Sequence, residues 1–226
     1  MIKIVSATRL SESLFKDSPL GASLGRLARD ARLSAWIAFE NAETLPRVYN
    51  QLITEANRAD VMVFMHDDVW IDDYHFADRI REGLERFDVI GLAGNKSPAP
   101  ATPAWAFAND RFEWDLADNL SGAVAHGSRP FGPVTWYGDC PAEVKTVDGL
   151  LIAAKCATLL DRSVRFDEQF EFHLYDMDFC RTAVTAGLRI GTWPIAVTHA
   201  SGGAFGSPAW RAALDKYRNK WSLPDK

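Results

Sequence analysis

A His-Asp-Asp cluster directly follows one apolar run of this sequence. His66, Asp67 and Asp68 come after VMVFM, a run typical of a buried strand. Two adjacent ionised carboxylates repel each other, and removing them from water beside an imidazole is costly unless a cation or a proton neutralises their charge. A divalent metal is therefore a natural partner. The alternative is that these residues cap the next helix. We expect metal or ligand binding at this strand end.

A second group of candidates lies far downstream. Asp176 and Asp178 stand at the start of a predicted helix, and His199 ends a later predicted strand. Asp178 is interpreted as structural, because acids in the first turn of a helix are routine. Asp176 follows several aromatic residues, an environment that raises a carboxylate pKa toward the range of a general base. His199 alone is typical of a core histidine, and it becomes a ligand candidate only if it meets Asp68 in space.

The bulk composition is that of an ordinary globular protein. The chain has 226 residues, of which 47% are hydrophobic and 24% charged. No apolar run reaches the roughly 18 residues that a membrane helix needs, so we predict no membrane span. Three widely spaced cysteines without a CxxC pair, and an N-terminus without a signal-like stretch, indicate a cytoplasmic protein. The net charge of -5, without a basic run, argues against nucleic-acid binding.

Strand and helix patterns alternate along the first part of the chain. Apolar β-rich runs are separated by stretches with apolar residues at helical spacing, which predicts an α/β fold with a mainly parallel central sheet flanked by helices. Ligands of such sheets bind beyond the carboxyl ends of the strands, where the His-Asp-Asp cluster stands. Residues 95–142 break the alternation and are predicted to be an irregular inserted loop or hairpin region of a single domain spanning 1–226.

Aromatic residues are concentrated in this inserted region. They can stack on the apolar faces of sugars, or they can form the small core of a hairpin, and the sequence leaves both interpretations open. These residues are Trp105, Phe107, Trp114, Trp136 and Tyr137.

The order of the motifs FMHDDV, TVDGLLIAAK, YDMDFCRTAVTAGLRI and VTHASGG resembles the glycosyltransferase family 2 superfamily of GT-A fold. The resemblance covers roughly residues 1 to 205 and is closest to the small single-domain glycosyltransferase-like branch. It implies an enzyme that transfers a sugar, with inversion, from a UDP- or GDP-linked donor. The implied acceptor is a hydroxyl of a glycan, a lipid-linked glycan or a small molecule.

The resemblance also implies roles for single residues. The last Asp of the family's Asp-x-Asp signature binds the divalent cation, a role that falls on Asp68, and His199 matches a histidine that often completes the metal site. Asp176 falls on the catalytic-base position. Two departures are His66, in place of the first Asp of the signature, and Tyr175, in place of the acid that usually precedes the base. An imidazole ligand is compatible with Mn²⁺ as well as Mg²⁺, with Mn²⁺ favoured.

The remaining implied residues line the donor and acceptor pockets. Polar residues after strands usually form turns, which is the alternative for the first two strand ends. The resemblance assigns the nucleotide donor to Thr8, Glu40, Asn41, His66 and Asp67. It assigns the sugar or acceptor pocket to Asp148, Gly149, Tyr175 and Trp136.

Other protein classes fit the sequence less well. A sugar-nucleotide pyrophosphorylase needs a glycine-rich phosphate cradle, which does not follow SATRL here. An HD-type phosphohydrolase carries its ligands on helices, whereas this His-Asp pair ends a strand. A noncatalytic domain that has kept a sugar or nucleotide pocket remains the main alternative, because His66 and Tyr175 depart from the family pattern.

Overall fold

The computed structural model describes residues 1–202 and 205–222. Its strands are β1 (Ile2–Ala7), β2 (Leu33–Ala38), β3 (Val61–Met65), β4 (Val69–Ile71), β5 (Val89–Gly91), β6 (Ala93–Asn95), β7 (Leu120–His126), β8 (Val134–Gly138), β9 (Ala142–Val144), β10 (Thr146–Val147), β11 (Leu151–Lys155), β12 (Ile190–Thr192) and β13 (Val197–His199). Its α-helices are α1 (Glu12–Phe15), α2 (Pro19–Leu27), α3 (Leu45–Asn50), α4 (Phe76–Arg86), α5 (Cys156–Asp161), α6 (Tyr175–Thr185) and α7 (Pro208–Lys220).

The larger sheet has seven strands in the order β2-β1-β3-β11-β5-β12-β9. β1 pairs in parallel with β2 and β3, and β5 pairs in parallel with β12. β11 and β9 are antiparallel to their neighbours, so the other five strands all run in one direction. The predicted mainly parallel α/β sheet is therefore confirmed. Its central strands β3 and β11 are almost entirely buried, as their continuous apolar runs predict.

A second sheet continues the fold in the order β10-β6-β7-β13-β4, with β8 paired to β7. The run DVIGLAG divides at Leu92 into β5 of the larger sheet and β6 of the second. Two glycines allow the division, because both approach β10 too closely for a side chain. A Cβ on Gly91 would lie 2.5 Å from the Cβ of Val147, and one on Gly94 would meet the carbonyl of Thr146.

Helix signals in the sequence match the observed ends in most places. The hydroxyl of Ser207 caps α7 by accepting the N–H of Trp210 at 3.1 Å, and Gly187 follows α6 in the left-handed conformation. Residues 44–57 carry apolar side chains at helical spacing, but α3 covers only Leu45–Asn50 of them. The Asn50 amide there exchanges two hydrogen bonds with the backbone of Phe166. No helix among the described residues has both the length and the apolarity to cross a bilayer.

The region 95–142 contains the hairpin β7–β8 and a long irregular loop before it. Aromatic rings pack within the loop, with Phe107 in edge contact with Phe112 and Trp114. The loop is fastened to α7 by the buried Arg218, which donates to the Asp110 carboxylate at 2.5 Å and to a backbone carbonyl at 2.9 Å. Residues 103–105 of the same loop line one cavity together with Ala7 and His66, at the carboxyl ends of β1 and β3.

Candidate active site

A cavity of about 330 Å³ lies at the carboxyl ends of β1 and β3. It brings together most of the residues that the sequence singled out, although they come from distant parts of the chain. Its walls carry four carboxylates and three imidazoles, and they carry no Lys or Arg within the described ranges. The predicted site residues that line it are His66, Asp67, Asp68, Asp148, Gly149, Tyr175, Asp176 and His199.

A His-Asp-His cluster forms one end of the cavity. One possible ligand atom from each of His66, Asp68 and His199 lies within 4.8 Å of the other two. The register of β13 against β4 sets His199 opposite Val69, next to Asp68, and Nε2 of His199 is 3.3 Å from Oδ2 of Asp68. His199 therefore meets Asp68 in space, as a ligand role requires. His66 completes the cluster, although the sequence placed it with the nucleotide donor.

The Asp68 carboxylate has the properties of a cation ligand. Burial raises its pKa, but the hydrogen bond from His199 and the charges of His199 and His66 outweigh that effect and lower the pKa to about 2. The group is therefore ionised, and its buried Oδ1 has no hydrogen-bond partner among the described residues. Such orphaned oxygens are rare in folded proteins. An ionised, partly unsatisfied carboxylate between two imidazoles fits a divalent cation.

The Tyr175 hydroxyl determines which nitrogen of His66 carries the proton. It donates to the carbonyl of Gly149 at 2.9 Å and lies 2.9 Å from Nε2 of His66. A phenol has one proton to donate, so both contacts are satisfied only if Nε2–H of His66 donates to the phenol oxygen. Nδ1 of His66 then keeps the lone pair that a metal requires. The two residues that depart from the family pattern thus bind each other.

Asp176 lies in the first turn of α6 and lines the same cavity. The chain enters the helix through Leu174, which has a left-handed φ of 62°. Oδ2 of Asp176 accepts the N–H of Gly149 at 3.0 Å, and Oδ1 accepts the N–H of Met177 at 2.9 Å. Burial, and secondly the charge of Asp148, raise the pKa of Asp176 to about 7 against the effect of these hydrogen bonds. That pKa suits a general base.

Asp148 is held in the cavity wall by two hydrogen bonds. Its Oδ2 accepts Nε1–H of Trp105 at 2.5 Å, and its Oδ1 accepts the N–H of Leu150 at 2.8 Å. Trp105 comes from the irregular loop, and this polar role was not predicted from the sequence.

The ring of Phe172 stacks on His66 with centroids 5.6 Å apart. Aromatic side chains also enclose the cavity elsewhere, namely Phe205 and Trp210.

Four predicted site residues do not line the cavity. Thr8 and Asn41 make local turns, since Thr8 Oγ1 accepts the N–H of Leu10 and the Asn41 amide bonds the backbone of Glu43. Glu40 lies in the same turn with a φ of 48°. The turn interpretation accounts for these contacts. Trp136 is 75% exposed on β8 and does not line this cavity.

Most of the chain matches one protein family. Residues 33–201 match the model of a family described as "Glycosyltransferase like family". No curated protein matches the chain. A197 from STIV is 10% identical, with a TM-score of 0.46 over 91% of this chain and 99% of its own.

Two solved structures of S. aureus TarS are also similar. One is 14% identical, with a TM-score of 0.47 over 94% of this chain and 38% of its own. The other, TarS 1-349, is 13% identical, with a TM-score of 0.44 over 88% of this chain and 60% of its own. The chain thus spans less than two thirds of either TarS chain. Because the family match covers most of this chain, the α/β protein described above belongs to the glycosyltransferase-like family and has the GT-A fold that its motif order predicted.

Proposed function

We propose that this glycosyltransferase transfers a sugar, with inversion, from a UDP- or GDP-linked donor to an acceptor hydroxyl, and that it depends on a divalent metal. One observation carries the proposal. The His66-Asp68-His199 cluster, suited to a cation, and Asp176, suited to a base, line the same cavity. Sugar transfer from a nucleotide diphosphate needs both a cation for the departing diphosphate and a base for the acceptor.

The charge of the cavity supports metal dependence. A nucleotide diphosphate is an anion, and a cavity walled by Asp67, Asp68, Asp148 and Asp176 without a Lys or Arg among the described residues repels it. His66, Asp68 and His199 would hold the cation, and their mixed imidazole and carboxylate set favours Mn²⁺ over Mg²⁺. A bound cation would supply Lewis-acid stabilisation of the diphosphate leaving group.

Asp176 acts in this proposal as the base in a single displacement. The acceptor oxygen bonds to the anomeric carbon of the donor while the bond from that carbon to the phosphate oxygen breaks. The electron pair of the broken bond leaves with the nucleoside diphosphate, and the acceptor proton moves to the Asp176 carboxylate. The N–H groups of Gly149 and Met177 keep this carboxylate in position, and one displacement inverts the sugar carbon.

The main alternative is a noncatalytic domain that binds a sugar or nucleotide. His66 and Tyr175 kept that alternative open, because both depart from the family pattern. In the structure, His66 lies beside Asp68 and His199, and its Nε2 contacts the Tyr175 hydroxyl. These contacts favour a catalytic site to which both departures from the family pattern contribute.

Calorimetric titration with UDP, GDP and their sugar conjugates, with and without Mn²⁺, tests the proposal. The native chain is compared with Asp68→Ala and with Asp17→Ala, an exposed acid outside the cavity. Metal-dependent binding that Asp68→Ala loses and Asp17→Ala keeps supports the donor site. An absence of metal-dependent binding to any of these nucleotides contradicts it. Binding without donor turnover in the native chain would instead identify the noncatalytic domain.

A further inference from the structure

A second cavity, of about 300 Å³, adjoins the active cavity. Met177 lines both, so its side chain forms part of the wall between them. The charge of the second cavity is the opposite of the first. Its lining includes Lys96, Lys145 and Arg181, and it includes no Asp or Glu from the part of the chain that the structure describes. These cations come from three separate segments, at the ends of β6 and β9 and within α6.

The positive charge of this second cavity is only weakly neutralised. The ammonium of Lys96 donates to a backbone carbonyl, that of Asp118, at 3.1 Å. The Arg181 guanidinium donates to a backbone carbonyl at 3.2 Å and lies over the ring of Trp221. Lys145 is 3.7 Å from a carboxylate of Glu143, which it shares with an arginine. Within residues 1–202 and 205–222, neither Lys96 nor Arg181 has a carboxylate oxygen within 4.0 Å.

A buried hydroxyl in the same cavity has no partner. Thr146 is 4% exposed, and its Oγ1 makes no hydrogen bond to any described residue. An unpaired hydroxyl of this kind is unusual, because buried hydroxyls are almost always hydrogen-bonded in folded proteins. The hydroxyls of Ser97 and Tyr217 belong to residues of the same wall. The cavity therefore combines three cations with hydroxyl groups.

We propose that the second cavity binds a phosphoryl group. Phosphate oxygens accept several charge-assisted hydrogen bonds at once, and a guanidinium, ammonium groups and hydroxyls supply the donors. The lining also contains Pro98 and Val184, which give an organic substituent of the phosphate an apolar surface. The volume is at the lower end of the range for small-molecule sites. The site is separate from the proposed donor site and does not depend on it.

Calorimetric titration with inorganic phosphate and with glycerol 3-phosphate tests this site. EDTA is present throughout, so that a cation in the active cavity cannot bind the probe. The variant is the double substitution Lys96→Gln with Lys145→Gln, and the control is Lys16→Gln, which removes one lysine that is exposed and lines neither cavity. We expect saturable binding by the native chain. Charged hydrogen bonds are strong enough that the double variant should bind at least about tenfold more weakly.

The controls separate this site from the active cavity. Asp68→Ala and Lys16→Gln should bind phosphate as the native chain does. Equal affinity of the native chain and the double variant overturns the proposal, and so does loss of binding in Asp68→Ala. No saturable binding of either probe overturns it as well. Tighter binding of the ester identifies a phosphate carried by a larger molecule, whereas tighter binding of inorganic phosphate identifies the free ion.

Discussion

The backbone N–H of Gly149 donates a hydrogen bond to Oδ2 of Asp176 at 3.0 Å, which joins the segment before β11 to the first turn of α6. The contact leaves no room for a side chain at residue 149. A Cβ there would lie 2.8 Å from Cζ of Tyr175 and 3.1 Å from Cβ of Asp176, and it would overlap the Tyr175 hydroxyl. The glycine thus permits the approach that positions the proposed base.

Gly149→Ala should destabilise the protein and lower sugar transfer. The new methyl group must displace Tyr175 or the start of α6, and such overpacking typically costs about 1–3 kcal/mol. Gly25→Ala is the matched control, because a Cβ on this exposed glycine of α2 meets nothing within 4 Å. That change should stabilise by about 0.5–1 kcal/mol through helix propensity. Urea denaturation measures both, and equal effects of the two substitutions would contradict the packing argument.

Asp176→Asn should change stability in a pH-dependent way. The raised pKa of Asp176 means that the folded chain binds this proton more tightly than the unfolded chain does. The native protein therefore loses stability from this group as pH rises from about 4 to about 7. The Asn variant has no such loss, so its stability relative to the native chain should increase over this interval by about 4 kcal/mol, at about 1.4 kcal/mol for each pKa unit, and then level off. Denaturation at several pH values measures the difference.

The amide that replaces the carboxylate in Asp176→Asn has one acceptor oxygen for two backbone N–H groups, those of Gly149 and Met177. The lost hydrogen bond lowers stability equally at every pH, so it shifts the curve without changing its slope. A difference between the two proteins that stays constant from about pH 4 to about pH 8 would show that burial does not raise this pKa.

The candidate ligands at the strand ends could be predicted from the sequence, because an apolar strand pattern there changes abruptly to polar, ionisable residues. The apolar run Val61–Met65 forms β3, and the His-Asp-Asp cluster follows it at once. His199 likewise ends β13. β13 belongs to the second sheet, where it is antiparallel to β4, so the strand-end rule for the parallel sheet did not by itself predict that His199 meets Asp68.

The irregular loop carries no period from which positions can be predicted. Trp105 reaches Asp148 because the loop folds over the cavity, and no spacing in the sequence shows that path. Trp136 lies on β8, where the three consecutive residues 134–136 are exposed, and aromatic character alone does not tell an exposed position from a covered one. The role of His66 in the cluster depends on side-chain contacts with Tyr175 that only the structure shows.

Tyr175→Phe should weaken Mn²⁺ binding without abolishing it. The phenol oxygen accepts from Nε2 of His66 and thereby keeps the lone pair on Nδ1. Loss of such a partner behind a metal ligand typically lowers metal affinity about 10- to 100-fold. Tyr217→Phe removes the same group from another buried tyrosine and should leave the affinity unchanged. Calorimetric titration with Mn²⁺ compares the two variants. If Tyr175→Phe binds Mn²⁺ as tightly as the native chain, the phenol does not set the tautomer of His66.

Asp178 has a structural role, as its place in the first turn of α6 predicted. Its side chain is fully buried and lines neither cavity. Nζ of Lys220 lies 2.8 Å from Oδ1, and Nε1–H of Trp221 donates to the same oxygen at 2.9 Å. Burial raises the pKa of Asp178, and the contacts with Lys220 and Trp221 oppose that rise. The contacts of Asp178 with Lys220 and Trp221 therefore hold the end of α7 against α6, the helix that carries Asp176.

Lys220→Met should destabilise the protein by about 2–4 kcal/mol, because it leaves a buried carboxylate without its cation. Lys216→Met is the control, since this lysine on the same helix makes one 3.3 Å hydrogen bond to a backbone carbonyl and should cost under about 0.5 kcal/mol. Adding Asp178→Asn to Lys220→Met should recover part of the loss, because the uncompensated charge is then gone. Thermal and urea denaturation measure all three, and strictly additive losses would show that the two side chains do not interact.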